Sequence, residues 1–232
     1  GLFYKLADKF FIYENSAKDK MVKKGFEREI IHVIYNSLDF ELQLQIFNQL
    51  EKKNQSTKLK LFRNNLPILF FIGRLTSKKK IDQLIQASIL LNKINPSFNL
   101  LIIGSGPAQK KLEKLAYPIL KEGLCYFHEA VFDEIKIAEL IYNSDLCVSP
   151  GNVGLTAIHS MSYGIPVATH DNFKNQMPEA EAIEPFENGI FFNEDDIEDI
   201  AFKIKLWFSK YHGIKSKKEL RSKIDKIYNP NR

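Results

Sequence analysis

The sequence predicts an α/β fold, a parallel sheet flanked by helices on both faces. Three observations carry that prediction. Short apolar runs rich in Ile, Phe and Val recur at residues 30–35, 68–72, 99–103, 124–128, 145–149 and 166–169. Most of these runs are continuous rather than alternating, the pattern of strands buried on both faces. Segments with apolar residues at helical spacing lie between them, and repeated strand–helix units imply parallel pairing through crossover helices.

The elements follow in order. Residues 9–13 form a strand-like piece, 16–24 a helix and 30–35 a second strand, and 40–65 read as a long polar helix followed by a loop. After the strand at 68–72, Ile81, Leu84, Ile85 and Leu91 fall on one helical stripe. After 99–103, Leu112, Leu115, Ala116 and Ile119 fall on another, which Pro118 is expected to kink or end. Ile197, Ile200, Ala201, Ile204 and Phe208 mark a third. A basic amphipathic helix at 216–228 follows a break at Gly213. The expected division is residues 1–39 as the end of a preceding domain with its linker, 40–210 as the main domain, and 211–232 as a C-terminal basic helix.

The 232 residues are 44% hydrophobic and 26% charged, enough for a sizeable core in one domain or slightly more. No run of about 18 apolar residues is present, and no signal-peptide pattern opens the chain. The chain begins on Gly1 rather than Met, and residues 1–35 read as mid-protein sequence, so a piece of a longer protein is expected. Cys125 and Cys147 sit in apolar strands without metal or disulfide spacing, as buried thiols of a reducing cytoplasm do. The net charge of +5 comes from lysines clustered at 78–80, 110–111 and 215–218. They lack the interleaved Arg and aromatic residues of a nucleic-acid platform, so solvated helix faces or a peripheral membrane contact are expected. The five histidines are scattered, which excludes a metal set, and no nucleophile elbow or Walker loop appears.

Four motifs carry chemistry. Gly73-Arg74-Leu75-Thr76-Ser77-Lys78-Lys79-Lys80 follows a buried strand directly, where open α/β sheets bind ligands. Arg74 offers a planar fork and Lys79 a mobile point charge, a pair suited to a diphosphate; a turn with solvated cations is the alternative. Gly104-Ser105-Gly106-Pro107 runs from a strand into a helix start and reads either as half of a dinucleotide fingerprint or as a tight turn. In the third, a strand ends at Ser149, a small-residue loop follows, and a helix spans Gly154 to Gly164 before the next strand at Pro166. Its N-terminus is an anion site in waiting, with His159 one turn in. The fourth, Thr169-His170-Asp171-Asn172-Phe173 with Gln176-Met177-Pro178-Glu179 and Glu187-Asn188-Gly189, is a polar stretch after a strand, where active-site loops occur or a solvated loop would suffice.

The order and spacing of these motifs resemble the C-terminal domain of the group 1 glycosyltransferases, family 4, over about residues 30–210. Ala7-Asp8-Lys9-Phe10 to Asn36-Ser37-Leu38-Asp39 resembles that family's closing N-domain strand, helix and junction. The resemblance implies the C-terminal half of a GT-B architecture, two Rossmann-like domains facing across a cleft. The half present would hold a nucleoside-diphosphate sugar, and residues 1–39 would end the acceptor domain. It implies a retaining transfer of a sugar to an acceptor hydroxyl in cell-surface polysaccharide or glycan assembly, on a glycan or lipid-linked acceptor, with no metal and no cofactor. By the same resemblance Arg74 and Lys79 neutralise the leaving diphosphate, Gly154, Leu155 and Thr156 present backbone amides to the phosphates, Gly73, Gly104 and Gly106 shape the turns beside the nucleotide, and Phe127 and His128 mark the seat of the base. His170 and Glu179 are candidate donor-sugar contacts.

One departure stands out. The family's two Glu residues, separated by seven others across the third motif, are replaced here by Gly151 and His159. His159 can hydrogen-bond ribose hydroxyls in place of the second, and Asn152 is the candidate substitute for the first. Two other readings stay open: a non-catalytic degenerate module, and a GT-B epimerase or phosphorylase. A chain lacking its partner domain is also expected to be nearly inactive and to leave Phe10-Phe11-Ile12 at an unpaired edge, loosely packed or self-associating.

Overall fold

The computed structural model describes residue 4, residues 6–53 and residues 61–231. Its first elements stand apart from the main sheet. Strand β1 (Phe10–Ile12) pairs in parallel with β2 (Ile31–Val33), and helix α1 (Asn15–Lys23) crosses between them. The Phe10 run therefore keeps one neighbour, where the sequence suggested none. It is lightly covered all the same: α1 buries no residue, and Phe11 and Leu6 are exposed. Helix α2 (Phe40–Lys52) follows, capped by Asp39, whose carboxylate accepts the Leu42 N–H at 3.1 Å. The rest of the expected 40–65 loop falls partly on residues 54–60, outside the described residues.

The main domain then alternates strand and helix: β3 (Ile68–Ile72), α3 (Ile81–Leu91), β4 (Asn99–Ile103), α4 (Gln109–Leu120), β5 (Cys125–His128), α5 (Glu134–Tyr142), β6 (Leu146–Ser149), α6 (Leu155–Ser162), β7 (Val167–His170), β8 (Gly189–Phe192), α7 (Ile197–Lys210) and α8 (Lys217–Ile227). The six strands from β3 onward form one sheet, ordered β5-β4-β3-β6-β7-β8 and parallel throughout. The strand order reverses beside β3, so the carboxyl ends of β3, β4 and β6 meet at the switch point where such sheets bind ligands. Pro118 lies inside α4, which ends two residues later at Leu120, as a helix losing an N–H in its last turn can. Edge strand β8 escaped the sequence reading, because Glu187-Asn188-Gly189 reads as a turn and the strand, which begins on that Gly189, is only four residues long.

Side chains of each strand alternate between two cores. Phe70, Leu101, Ile103 and Cys147 pack on the face of α2, α5 and α6. Leu69, Phe71, Leu100 and Ile102 pack on the face of α3, α4 and α7. Helix α8 belongs to the first core through Ile224 and Tyr228, and a reciprocal capping box of Ser216 and Glu219 starts it. Arg221 is the largest charge placed inside. It is 1% exposed, donates to the Ser162 carbonyl and pairs with Asp225 at 2.9 Å. Its guanidinium lies 5.3 Å from each of the Phe40 and Phe47 ring centroids. Burial pulls its pKa down, and Asp225 opposes that.

Candidate functional site

The turns after β3 and β4 are built against each other. The Gly73 N–H donates to the Ile103 carbonyl at 3.0 Å and the Leu75 N–H to the Ser105 carbonyl at 2.9 Å. A Cβ on Gly104 would lie 2.0 Å from the Gly73 carbonyl oxygen, and one on Gly106 would lie 2.3 Å from that of Leu75. Gly104 also has φ +139°, a conformation open mainly to glycine. Only glycine lets these two backbones touch. The contact leaves a cavity of about 470 Å³ over the switch point, lined by Gly73, Arg74, Gly104, Gly106, Val131 and Phe132 among others. The Arg74 side chain is exposed there and has no ion-pair partner among the described residues.

Helix α6 begins at the border of this cavity. Gly154, its N-cap, has φ 54° and ψ −152°, a region that L side chains avoid, and no side chain caps the helix. No acidic residue occupies the first turn, so the N–H groups and the positive end of the dipole are open to an anion. Thr156 Oγ1 lies 3.4 Å from the Ile72 carbonyl, which places that first turn against the cavity wall. Gln176 fixes the loop before it: Oε1 accepts the Val153 N–H at 3.0 Å, and Nε2 donates to Thr169 Oγ1 at 2.9 Å and to the His170 carbonyl at 3.0 Å.

Lys79 approaches from the other side. Its Nζ donates to the Asn152 carbonyl and to Asn152 Oδ1, both at 2.8 Å. Burial lowers its pKa and the nearby Glu179 charge opposes the shift. Asn152 therefore holds Lys79 rather than reaching into the cavity. Gly151 has a steric reason. A Cβ there would lie 2.4 Å from the Lys78 carbonyl oxygen and 2.9 Å from Lys79 Cα, so the loop crosses the 78–79 backbone in contact. A side chain at this position has no room.

Three other candidate residues are not among those lining the cavity and are buried or held by internal partners. His159 Nε2 lies 2.9 Å from Glu134 Oε1, which also accepts from Tyr163 Oη at 2.6 Å and from Gln43 Nε2 at 3.1 Å. Its ring is thus taken by a carboxylate of α5. Burial works against the Glu134 charge, but its bonds to His159, Tyr163 and Gln43 hold it below the usual carboxylate range. His170 is the last residue of β7 and 1% exposed, and burial lowers its pKa. Glu179 is buried too: Oε1 accepts from Asn36 Nδ2 at 2.8 Å and Oε2 has no partner among the described residues. Phe127 and His128 end β5 just short of the wall, which is made by Ala130, Val131 and Phe132; the His128 carbonyl instead accepts the Gly104 N–H at 3.0 Å. Glu134 and Gln176 are the two functional neighbours that sequence motifs did not single out as such. Among the described residues, no three His, Cys, Asp or Glu side chains are grouped to hold a metal ion.

The description "Glycosyl transferases group 1" fits this chain over residues 41–227. The chain belongs to that family. A glycosyltransferase of Haemophilus influenzae is 29% identical over 158 residues, 66% of this chain and 41% of that protein. The chain thus spans about two fifths of that relative's length. Its fold is that of Anabaena HepE, solved in complex with UDP (TM-score 0.70, 16% identity, 98% of this chain and 61% of that one). The C-terminal domain of the group 1 protein LpcC from Francisella tularensis is similar over 96% of its own length and 84% of this chain (TM-score 0.58, 20% identity). The parallel six-stranded sheet flanked by helices is therefore the Rossmann-like half of a GT-B fold. Among the described residues no helix is long and apolar enough to cross a membrane.

Proposed function

We propose that this chain is the donor-binding half of a retaining glycosyltransferase. The observation that carries the reading is the meeting, at one switch point, of an unpaired Arg74, a tethered Lys79 and the uncapped N-terminus of α6 beside a cavity of about 470 Å³. A nucleoside diphosphate supplies what this arrangement lacks. Its phosphates meet the helix amides, Arg74 and Lys79, and its base enters between the glycine turns and the Ala130–Phe132 wall. The glycosidic C–O bond to the phosphate breaks and the acceptor oxygen bonds the same anomeric carbon on the same face. The acceptor proton passes to the departing phosphate oxygen. Arg74 and Lys79 stabilise the charge that develops there without a metal ion. The acceptor is a cell-surface glycan or a lipid-linked saccharide, bound by a domain N-terminal to this one at the cytoplasmic membrane face. His170 and Glu179 support the donor-sugar side from beneath, and the exposed β1 edge is a surface for self-association or for that domain.

The Gly151 and His159 replacements favour a second reading, a binding module without catalysis. The close crossing at Gly151 and the internal partner of His159 weigh against decay, because both replacements are built into the packing. Incubating the protein that carries this segment with UDP-, GDP- and ADP-sugars and a saccharide acceptor tests the proposal. Retained anomeric configuration in the product, read by proton NMR coupling, is expected. An inverted product, or sugar-nucleotide binding with no transfer to any acceptor, would contradict it.

A further inference from the structure

The segment that holds β1, α1 and β2 is fastened to the main domain by two glutamates of one short turn. The 3₁₀ helix Pro178–Ala182 follows the loop that Gln176 ties to Val153. Its Glu181 reaches the start of α1. One carboxylate oxygen accepts the Asn15 N–H at 2.8 Å, the other accepts the Ser16 N–H at 2.8 Å, and Asn15 Nδ2 donates to the first at 3.3 Å. The first N–H groups of a helix have no partner within it. Helix α1 supplies none from its own surroundings: Glu14 at the N-cap makes no side-chain bond, and no acid lies in the first turn. The cap comes instead from a residue 165 positions away in the chain. A carboxylate there also meets the positive end of the helix dipole. Glu179 of the same turn accepts from Asn36 Nδ2 at 2.8 Å, where the segment has left β2. Lys223 of α8 donates to the Glu181 carbonyl at 3.1 Å and pairs with Glu184 at 2.9 Å, so the turn itself is held in place.

This clasp borders a cleft. A cavity of about 230 Å³ lies between Glu14, Ser16 and Lys20 on the α1 side and Phe173, Gln176 and Met177 on the loop side. Met177 joins that cleft to the donor site, since a Cβ on Gly154, the N-cap of α6, would stand 3.8 Å from its Cγ. The position of α1 sets the width of the cleft beside the α6 N-terminus, and Glu181 holds α1. We propose that Glu181 is a positioning residue for transfer: it caps α1 from across the chain and holds apart the walls between which an acceptor saccharide brings its hydroxyl to the donor. This inference rests on the donor-site reading above. Glutamine is no substitute at this position. It has one acceptor oxygen for two N–H groups and would turn its own amide hydrogens toward a donor.

Three measurements compare the parent with Glu181→Gln and Glu181→Ala. Amide exchange of the chain, resolved by NMR, should be about fivefold faster or more at Ser16 in both variants and unchanged in β3 and β6. Calorimetry with UDP, GDP and ADP should give the parent's affinity to within about twofold. Transfer is measured on the protein that carries this segment, with UDP-, GDP- and ADP-glucose as donors and octyl glycosides of mono- and disaccharides as acceptors. Both variants should raise the acceptor KM about tenfold or more and leave the donor KM within about twofold of the parent. Ser16 exchange equal to the parent's overturns the proposal. So does an acceptor KM within about twofold of the parent, or a loss of nucleotide affinity as large as the loss in transfer. A parent that binds none of the three nucleotides overturns the donor-site reading and this inference with it. A parent that binds one, with variants that transfer as it does, overturns this inference alone.

Discussion

Restoring the family's glutamate at position 151 should damage this protein rather than improve it. The structure makes the reason quantitative. The Cβ of any residue there would stand 2.4 Å from the Lys78 carbonyl oxygen and 3.0 Å from the Lys79 carbonyl carbon, both backbone atoms that cannot swing aside. Reaching ordinary contact requires the 149–154 loop to retreat by roughly 1 Å. That movement strains the Gly151 N–H bond to the Lys79 carbonyl (3.2 Å) and both Lys79–Asn152 bonds. Overpacking of this kind costs about 1–3 kcal/mol, and loosening hydrogen bonds to a charged group adds about 1.5–3 kcal/mol. A total near 3–5 kcal/mol corresponds to a fall in melting temperature of about 6–20 °C for a chain of this size. The clash begins at Cβ, so Gly151→Ala should lose most of what Gly151→Glu loses. Gly123→Ala, where nothing lies within 4 Å and only the positive φ is strained, should lose about 1 kcal/mol. Thermal melts followed by circular dichroism read all three. A Gly151→Ala melt within 2 °C of the parent, as judged on that scale, would refute the reasoning, because no backbone contact could then be present.

Gln176→Ala should cost about 1–3 kcal/mol in a urea melt by leaving the Val153 N–H without its acceptor and by removing the donor to the Thr169 hydroxyl and the His170 carbonyl, and should weaken nucleotide binding through the α6 start. Arg221→Met should destabilise by about 2–4 kcal/mol despite its apolar replacement, since the Ser162 carbonyl loses its donor and the Phe40–Phe47 face its cation; a neutral melt would show that Arg221 is dispensable. Burial pushes the Cys125 and Cys147 thiols up to about 12. The folded state therefore holds these protons more tightly than the unfolded chain. That stability is fully present below the ordinary thiol range and is lost as pH rises from there toward 12. A thiol reagent at pH 8 should label neither cysteine in the folded protein and both in urea.

Local pattern carried the reading a long way. The bounds of β3 and β4 were legible to the residue, because both are continuous apolar runs bounded by turn residues, and the α6 limits were legible from Gly154 and Gly164. The cation pair and the glycine turns were legible as a group because all of them follow strands directly. What was hidden depends on which elements become neighbours. Nothing near Gly151 in the chain announces that it will cross Lys78, seventy-three positions earlier by simple subtraction of the residue numbers. His159 looks free at helical spacing, and only the packing of α5 against α6 supplies Glu134. His170 and Glu179 read as polar loop residues, yet β8 closes over the first, and the chain at Asn36 covers the second. A four-residue strand that begins on the Gly of a turn-like Glu-Asn-Gly carried too little signal to announce β8.

The central claim is that Arg74, Lys79 and the α6 N-terminus form a working diphosphate site. Calorimetric titration of the chain with UDP, GDP and ADP, with and without magnesium, and again with Arg74→Ala, tests it most directly. The account predicts binding of one nucleotide in preference to the others, unchanged by magnesium and weakened at least tenfold in the variant, which is about 1.4 kcal/mol. Equal affinity in the parent and Arg74→Ala, or binding that appears only with magnesium, would contradict it.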